Sequence, residues 1–197
     1  PCNPTGSVYS MAELEAFAEI LGKRDEIYIV SDEIYEYINY TGGHASIASI
    51  PSVRDQTITV NGFSKGFAMT GWRLGYIGAP KEVAKATDKM QGQFTSGAAS
   101  FSQKAAALAL DTELSETHKM KEVFQQRRDL ILGLLKEIPG VKCNTPDGAF
   151  YVFPDVSSYY GKKTEDGTTI ENGDQLCEYI LEKAYVALVA GSAFGAD

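Results

Sequence analysis

The sequence predicts an α/β fold, a layered and mainly parallel sheet followed by a smaller α+β unit. Three observations carry this expectation. Short unbroken apolar runs, IYIV at 27–30 and TITV at 57–60, alternate with segments of helical periodicity, the pattern of strands buried on both faces. Each run gives way to polar residues, at Asp32 in the first case and ahead of Lys65 in the second. After about residue 114 the alternation stops and a long amphipathic segment begins. Open α/β sheets collect ligands at the carboxyl ends of their strands, so Asp32 and Lys65 are expected at that edge.

The elements follow in order. PCNPTG has turn composition. SMAELEAFAEILGK places Ser10 and Glu13 at capping-box spacing, with Leu14, Phe17, Ala18 and Leu21 along one face and Gly22 at the close, which predicts a helix of about three turns. IYIV and TITV are the two buried strands, and GWRLGYIGAP supplies a third. PKEVAKATDKMQGQ and SFSQKAAALAL read as helices. SETHKMKEVFQQRRDLILGLLKEIPG reads as a long amphipathic helix, with Val123, Phe124, Arg127, Ile131, Leu134, Leu135 and Ile138 at helical spacing. GAFYVFPDV predicts a strand, SSYYGKKTEDGTTIENG a polar loop, DQLCEYILEKA a helix and YVALVAG a last strand. The expected division is 1–114 and 115–197, with the long helix leading into the second unit. The chain opens at Pro1 inside a turn sequence with no element ahead of it, so a piece of a longer protein is expected.

Bulk chemistry narrows the function. With 197 residues and 44% hydrophobic content the chain can bury a core. A net charge of -8 disfavours a nucleic-acid partner, because binding phosphates needs an excess of Lys and Arg. No apolar run has the roughly 20 residues of a membrane span. Cys2, Cys143 and Cys177, with only His44 and His118 to join them, form no metal or disulfide pattern, which suits a cytoplasmic setting. A small-molecule partner is expected and no metal.

Four features could carry chemistry: Asn3 in NPTG, Asp32 with Tyr35 in SDEIY, Lys65 in FSK and Arg73 in GWR. Each has an ordinary reading, as a turn, a surface acid, a packed ring, a solvated lysine or an ion-paired arginine. Together they match what one cofactor requires. A lysine amine condenses with the aldehyde of pyridoxal phosphate. A carboxylate such as Asp32 holds the proton on the pyridine nitrogen. Tyr35 and Asn3 are neutral donors for the ring oxygen, and Arg73 offers a planar fork to the phosphate.

GFSKGFAMTGWRLG, from Gly62 to Gly75, resembles the lysine signature of the class I, fold-type I pyridoxal-phosphate-dependent aminotransferases. NPTG and SDEIYEYINY precede it in that family's order, and GAFYVFPDV and ALVAGSAFG resemble its small-domain strands. The likeness covers essentially the whole chain and is nearest to prokaryotic aspartate aminotransferases. It implies the C-terminal part of a large parallel-sheet domain plus most of a small α+β domain. It further implies that Lys65 forms the internal aldimine and shuttles the proton. Asp32, Tyr35, Asn3 and Arg73 bind the cofactor with it, Asn3 also touches substrate, and aspartate and a 2-oxo acid such as 2-oxoglutarate are the substrates. The segment KMQGQFTSGAAS, with Thr95 and Ser96, is expected to face a second copy in a homodimer.

Departures are few. Gly62 stands where many members carry a hydroxyl residue three positions before the lysine, and Ala190 stands where proline is frequent. The family's glycine-rich phosphate cradle and ring-stacking aromatic fall before NPTG, and its carboxylate-binding arginine falls after GSAFG. The chain alone is therefore expected to be inactive. Two alternatives share the same residues: a pyridoxal-phosphate-dependent C-S lyase, and a non-catalytic aminotransferase-like amino-acid sensor domain.

Overall fold

The computed structural model describes residues 1–196. It contains helix α1 (Met11–Leu21), strands β1 (Ile29–Asp32), β2 (Thr57–Gly62) and β3 (Gly75–Gly78), and helices α2 (Lys81–Phe94), α3 (Ser100–Asp111), α4 (Ser115–Lys136) and α5 (Gly173–Ala184). The fold is mixed α/β, and the sheet runs β1-β2-β3.

Helix α1 forms as its sequence dictates. Ser10 Oγ accepts the Glu13 backbone N–H, and Glu13 Oε2 accepts the Ser10 backbone N–H at 2.8 Å, a reciprocal box that satisfies two of the orphan donors of the first turn. Its Leu14 and Ala18 pack on Ile47 and Val53 in one core cluster, with Leu21, Ile29 and Ile50 around them.

β1 and β2 pair in parallel, with Ile29 opposite Thr57 and Asp32 opposite Val60. β3 returns antiparallel, with Gly75 opposite Gly62. The carboxyl ends of β1 and β2 and the start of β3 thus share one edge. Gly62 has a packing reason: a Cβ there would lie 3.0 Å from both Gly75 Cα and Leu74 O, and backbone atoms do not yield as side chains do. The strands are less buried than their apolar runs predict. Tyr28 and Val30 are exposed, because one face of this short sheet has no helix laid over it among the described residues.

The second half differs from expectation in three places. The inward seam of α4 is Thr117, Met120, Phe124, Arg128 and Leu132, at helical spacing; Val123, Ile131, Leu134 and Ile138 are exposed. The seam is set by what the helix meets: Arg128 donates to Pro146 O at 2.9 Å and lies 4.7 Å from the Tyr40 ring centre. GAFYVFPDV is not a strand; it makes single bridges, Asn39 with Gly148 and Lys142 with Asp155. YVALVAG is not a strand either, since 186–190 has no ladder partner among the described residues, and Val186, Leu188 and Val189 are exposed.

What segment 146–149 does instead is clamp the first turn to the site. Gly6 O accepts the backbone N–H groups of Asp147 and Gly148, both at 2.9 Å, and Asn144 donates to Thr5 O at 3.1 Å. Ala149 N–H donates to Ile38 O, and Tyr40 N–H to Asp147 O, each at 2.8 Å. Gly6 has φ +69°, and a Cβ there would meet Pro146 Cβ at 2.4 Å. On the other side, Glu33 is buried and its carboxylate accepts from Ser46 at 2.6 Å and Ser31 at 3.1 Å, with His44 Nε2 at 2.8 Å. Burial alone would raise its pKa; the hydrogen bonds from His44, Ser46 and Ser31 and the nearby imidazole outweigh it, and the net shift is downward.

Two outcomes follow. Gly6→Ala, strained at a left-handed φ and clashing with Pro146, is expected to cost about 2 kcal/mol or more, read as a lower urea midpoint with an unchanged m-value. Because the folded Glu33 carboxyl titrates below its ordinary 4.5, its contribution is complete above that pH and is lost as pH falls through the folded value. Urea titrations between pH 7 and 3 should therefore show an acid loss of stability that is shallower in Glu33→Gln.

Candidate active site

Three charged groups lie at the shared strand edge. Asp32 ends β1, Lys65 lies three residues past β2, and Arg73 lies two residues before β3. The antiparallel return of β3 puts its beginning beside the end of β2, which is how Arg73 comes to that edge. Among the described residues none of the three is in an ion pair. Asp32 Oδ1 accepts the Ile34 N–H at 3.1 Å, in the turn that leads from strand to Tyr35. Arg73 donates from Nη1 to Thr70 O at 2.8 Å and is otherwise exposed. Its φ of 52° is left-handed, an unusual state for a long side chain, of the kind that clusters at ligand sites.

Lys65 is half-buried. Its Nζ lies 5.7 Å from the Tyr35 ring centre and 5.3 Å from that of Phe150, so aromatic faces rather than a carboxylate surround the ammonium. The lysine turn is held from two sides. Gly66 sits against the Tyr37 ring, where a Cβ would come within 2.5 Å, and buried Thr117, in the first turn of α4, donates to Gly66 O at 2.9 Å.

Tyr35 is buried with Ile38 and Ala149, against Met120, Phe124 and Tyr151. Its hydroxyl is hydrogen-bonded to that of Tyr151. Its phenol is pushed well above the ordinary tyrosine range, by burial first and also by the negative charge of Asp32. It therefore stays a neutral donor across the physiological range. Asn3 lies in an exposed turn, and its carboxamide makes no side-chain hydrogen bond among the described residues. The turn reaches the site through the 146–149 clamp.

Sequence reasoning placed Asp32 and Lys65 at the carboxyl edge of the strands, and the structure has both there, with Tyr35 beside the lysine and Arg73 just ahead of β3. It missed Phe150, Tyr151 and Thr117. The aromatic pair was visible inside GAFYVFPDV, but nothing local links it to a lysine 85 or more positions away. Beside Arg73 a cleft is lined by Trp72, Gln91, Thr95, Phe101 and Ser102, so Thr95 shares the surface of the arginine. The donor set fits pyridoxal phosphate: an amine for its aldehyde, a carboxylate for its ring nitrogen, a neutral phenol for its ring oxygen and a guanidinium for its phosphate, three of the four without a competing ionic partner.

Comparison with known proteins agrees with this chemistry. The sequence profile described as aminotransferase class I and II matches residues 1–197. A bifunctional aspartate aminotransferase and glutamate/aspartate-prephenate aminotransferase of Petunia hybrida is 53% identical over 100% of this chain and 42% of its own length. An aspartate aminotransferase of Pinus pinaster is 52% identical, over 100% and 41% respectively. The crystal structure of the aspartate aminotransferase of Rhizobium meliloti superposes with a TM-score of 0.95 at 41% identity, covering 100% of this chain and 50% of that one. The chain thus spans about half the length of the relatives it matches. Over its whole length, with the fold of the fold-type I enzymes, this chain belongs to the class I and II aminotransferases.

Proposed function

We propose that the chain carries the lysine-bearing part of a pyridoxal-phosphate-dependent aminotransferase site, moving an amino group from aspartate to a 2-oxo acid such as 2-oxoglutarate. The observation that carries this reading is the gathering of Asp32, Lys65 and Arg73, none of them ion-paired among the described residues, at the strand edge where Tyr35 packs beside the lysine. The choice of aspartate rests on the names of the relatives.

When bound, the cofactor supplies a conjugated ring that accepts electron density released at the substrate α-carbon. The protein groups do the rest. Lys65 would hold the cofactor through its aldehyde, and its freed amine would take the proton from the substrate α-carbon. The rings of Tyr35 and Phe150 flank the amine and hold it in place. Asp32 holds the proton on the ring nitrogen. Tyr35 donates to the ring oxygen, Asn3 reaches that oxygen and the substrate carboxylate, and Arg73 holds the phosphate.

The division at about residue 114 follows the same reading: 1–114 belongs to the large domain, and 115–197, entered by α4, to the small one. A homodimer in the cytoplasm completes it. Helix α2 buries none of its residues, and Met90 and Phe94 are exposed, which supports a covering second copy near Thr95 and Ser96. No helix is long and apolar enough to cross a membrane among the described residues.

In protein expressed from its complete gene, Lys65→Ala should lower aspartate and 2-oxoglutarate turnover at least about a thousandfold; comparable turnover would refute the assignment. Arg73→Ala removes a charge-assisted pair and should weaken pyridoxal phosphate binding about tenfold to a hundredfold, measured by titrating the apoprotein. Residues 1–197 expressed alone should give no measurable turnover in the same assay.

A further inference from the structure

We infer that Tyr151 is a positioning residue for Tyr35, fixing the direction in which the Tyr35 hydroxyl donates. This rests on the cofactor reading above. The two hydroxyls are hydrogen-bonded to each other across 116 residues of chain, and the rings meet edge-on at 81° with centres 5.7 Å apart. Tyr35 also meets Phe150 edge-on, at 84° and 5.3 Å. Tyr35 is 4% exposed, so its hydroxyl has few partners to choose from.

A phenol carries one proton. If Tyr35 gives its proton to Tyr151, it has none for a ligand. If Tyr151 gives its proton to Tyr35, the Tyr35 proton is free to point onward. Only the second arrangement lets Tyr35 donate to an anionic ring oxygen, and a donor that is itself accepting a hydrogen bond is polarised into a stronger one. Tyr151 is held for this task by the preceding residues. Ala149 N–H is bonded to Ile38 O at 2.8 Å, Ala149 O accepts from Tyr40 Oη at 2.5 Å, and Gly148 N–H is bonded to Gly6 O at 2.9 Å. The charged groups around the pair are Lys65, whose Nζ is 5.7 Å from the Tyr35 ring centre, and Asp32, whose charge acts on the Tyr35 phenol.

The consequence appears in a titration. Donation from Tyr35 draws charge from the ring oxygen and makes it a poorer partner for the proton at the Lys65 nitrogen, which then leaves at lower pH. Losing the Tyr151 hydroxyl weakens that donation, so the proton stays to higher pH. The test is the pH midpoint of the visible absorbance of the complete protein loaded with pyridoxal phosphate, with thermal melting alongside. Tyr151→Phe should raise the midpoint by about 0.5 to 1 pH unit, Tyr35→Phe should raise it further, and the double variant should match Tyr35→Phe. A Tyr151→Phe midpoint equal to wild type, with or without a lower melting temperature, reduces Tyr151 to packing and overturns the inference. So does an equal shift in both backgrounds. If Tyr35→Phe itself leaves the midpoint unmoved, the placement of Tyr35 at the ring oxygen falls with it, whereas loss of the band in Lys65→Ala tests the cofactor reading separately.

Discussion

The parallel pairing of β1 with β2 is the constraint on which the site depends. In the register that sets Asp32 opposite Val60, an acid ends one strand beside the neighbour that delivers the lysine. A slip of one residue would turn Asp32 to the other face of the sheet. The antiparallel return of β3 then brings Arg73 to the same edge, and the mutual approach of Gly62 and Gly75 keeps those two strands close. Acid, amine and guanidinium are thereby fixed by backbone hydrogen bonds rather than by contacts with one another. That leaves their charges free for a ligand.

Around this edge the two halves of the chain are bound together by a small number of specific contacts. Thr117 holds the lysine turn through Gly66 O. The 146–149 segment ties the NPTG turn to residues 38–40 and carries Phe150 to the lysine and Tyr151 to Tyr35. The second half adds Phe150 to the rings around Lys65 and packs Met120, Phe124, Ala149 and Tyr151 about Tyr35, while the charged groups come from the first.

This division explains what could be read from the sequence. Local rules found α1, whose capping box is four residues long, and the strand ends that place Asp32 and Lys65, because each depends on neighbours a few positions away. The α4 helix was found, and Phe124 and Leu135 of its expected face are half-buried, but the rest of that face is not. Amphipathic spacing also offered Val123, Ile131 and Leu134, which are exposed, and the choice of Thr117, Met120, Arg128 and Leu132 beside Phe124 depends on partners such as Tyr40 and Pro146, which no periodicity shows. GAFYVFPDV looked like a strand because its aromatic and β-branched residues are those enriched in strands. It became a clamp with single bridges, since its backbone groups are satisfied by Gly6, Ile38 and Tyr40. The tyrosine pair is a contact at long sequence range, and one sequence carries no signal for it.

The central claim is that Lys65 is the residue that joins the cofactor, and chemical trapping tests it most directly. Protein from the complete gene is loaded with pyridoxal phosphate, reduced with borohydride, digested and mapped by mass spectrometry. The account predicts the reduced phosphopyridoxyl group on Lys65, within the peptide containing NGFSKGFAMTGWR. A stoichiometric label on any other lysine, with Lys65 unmodified, would contradict it.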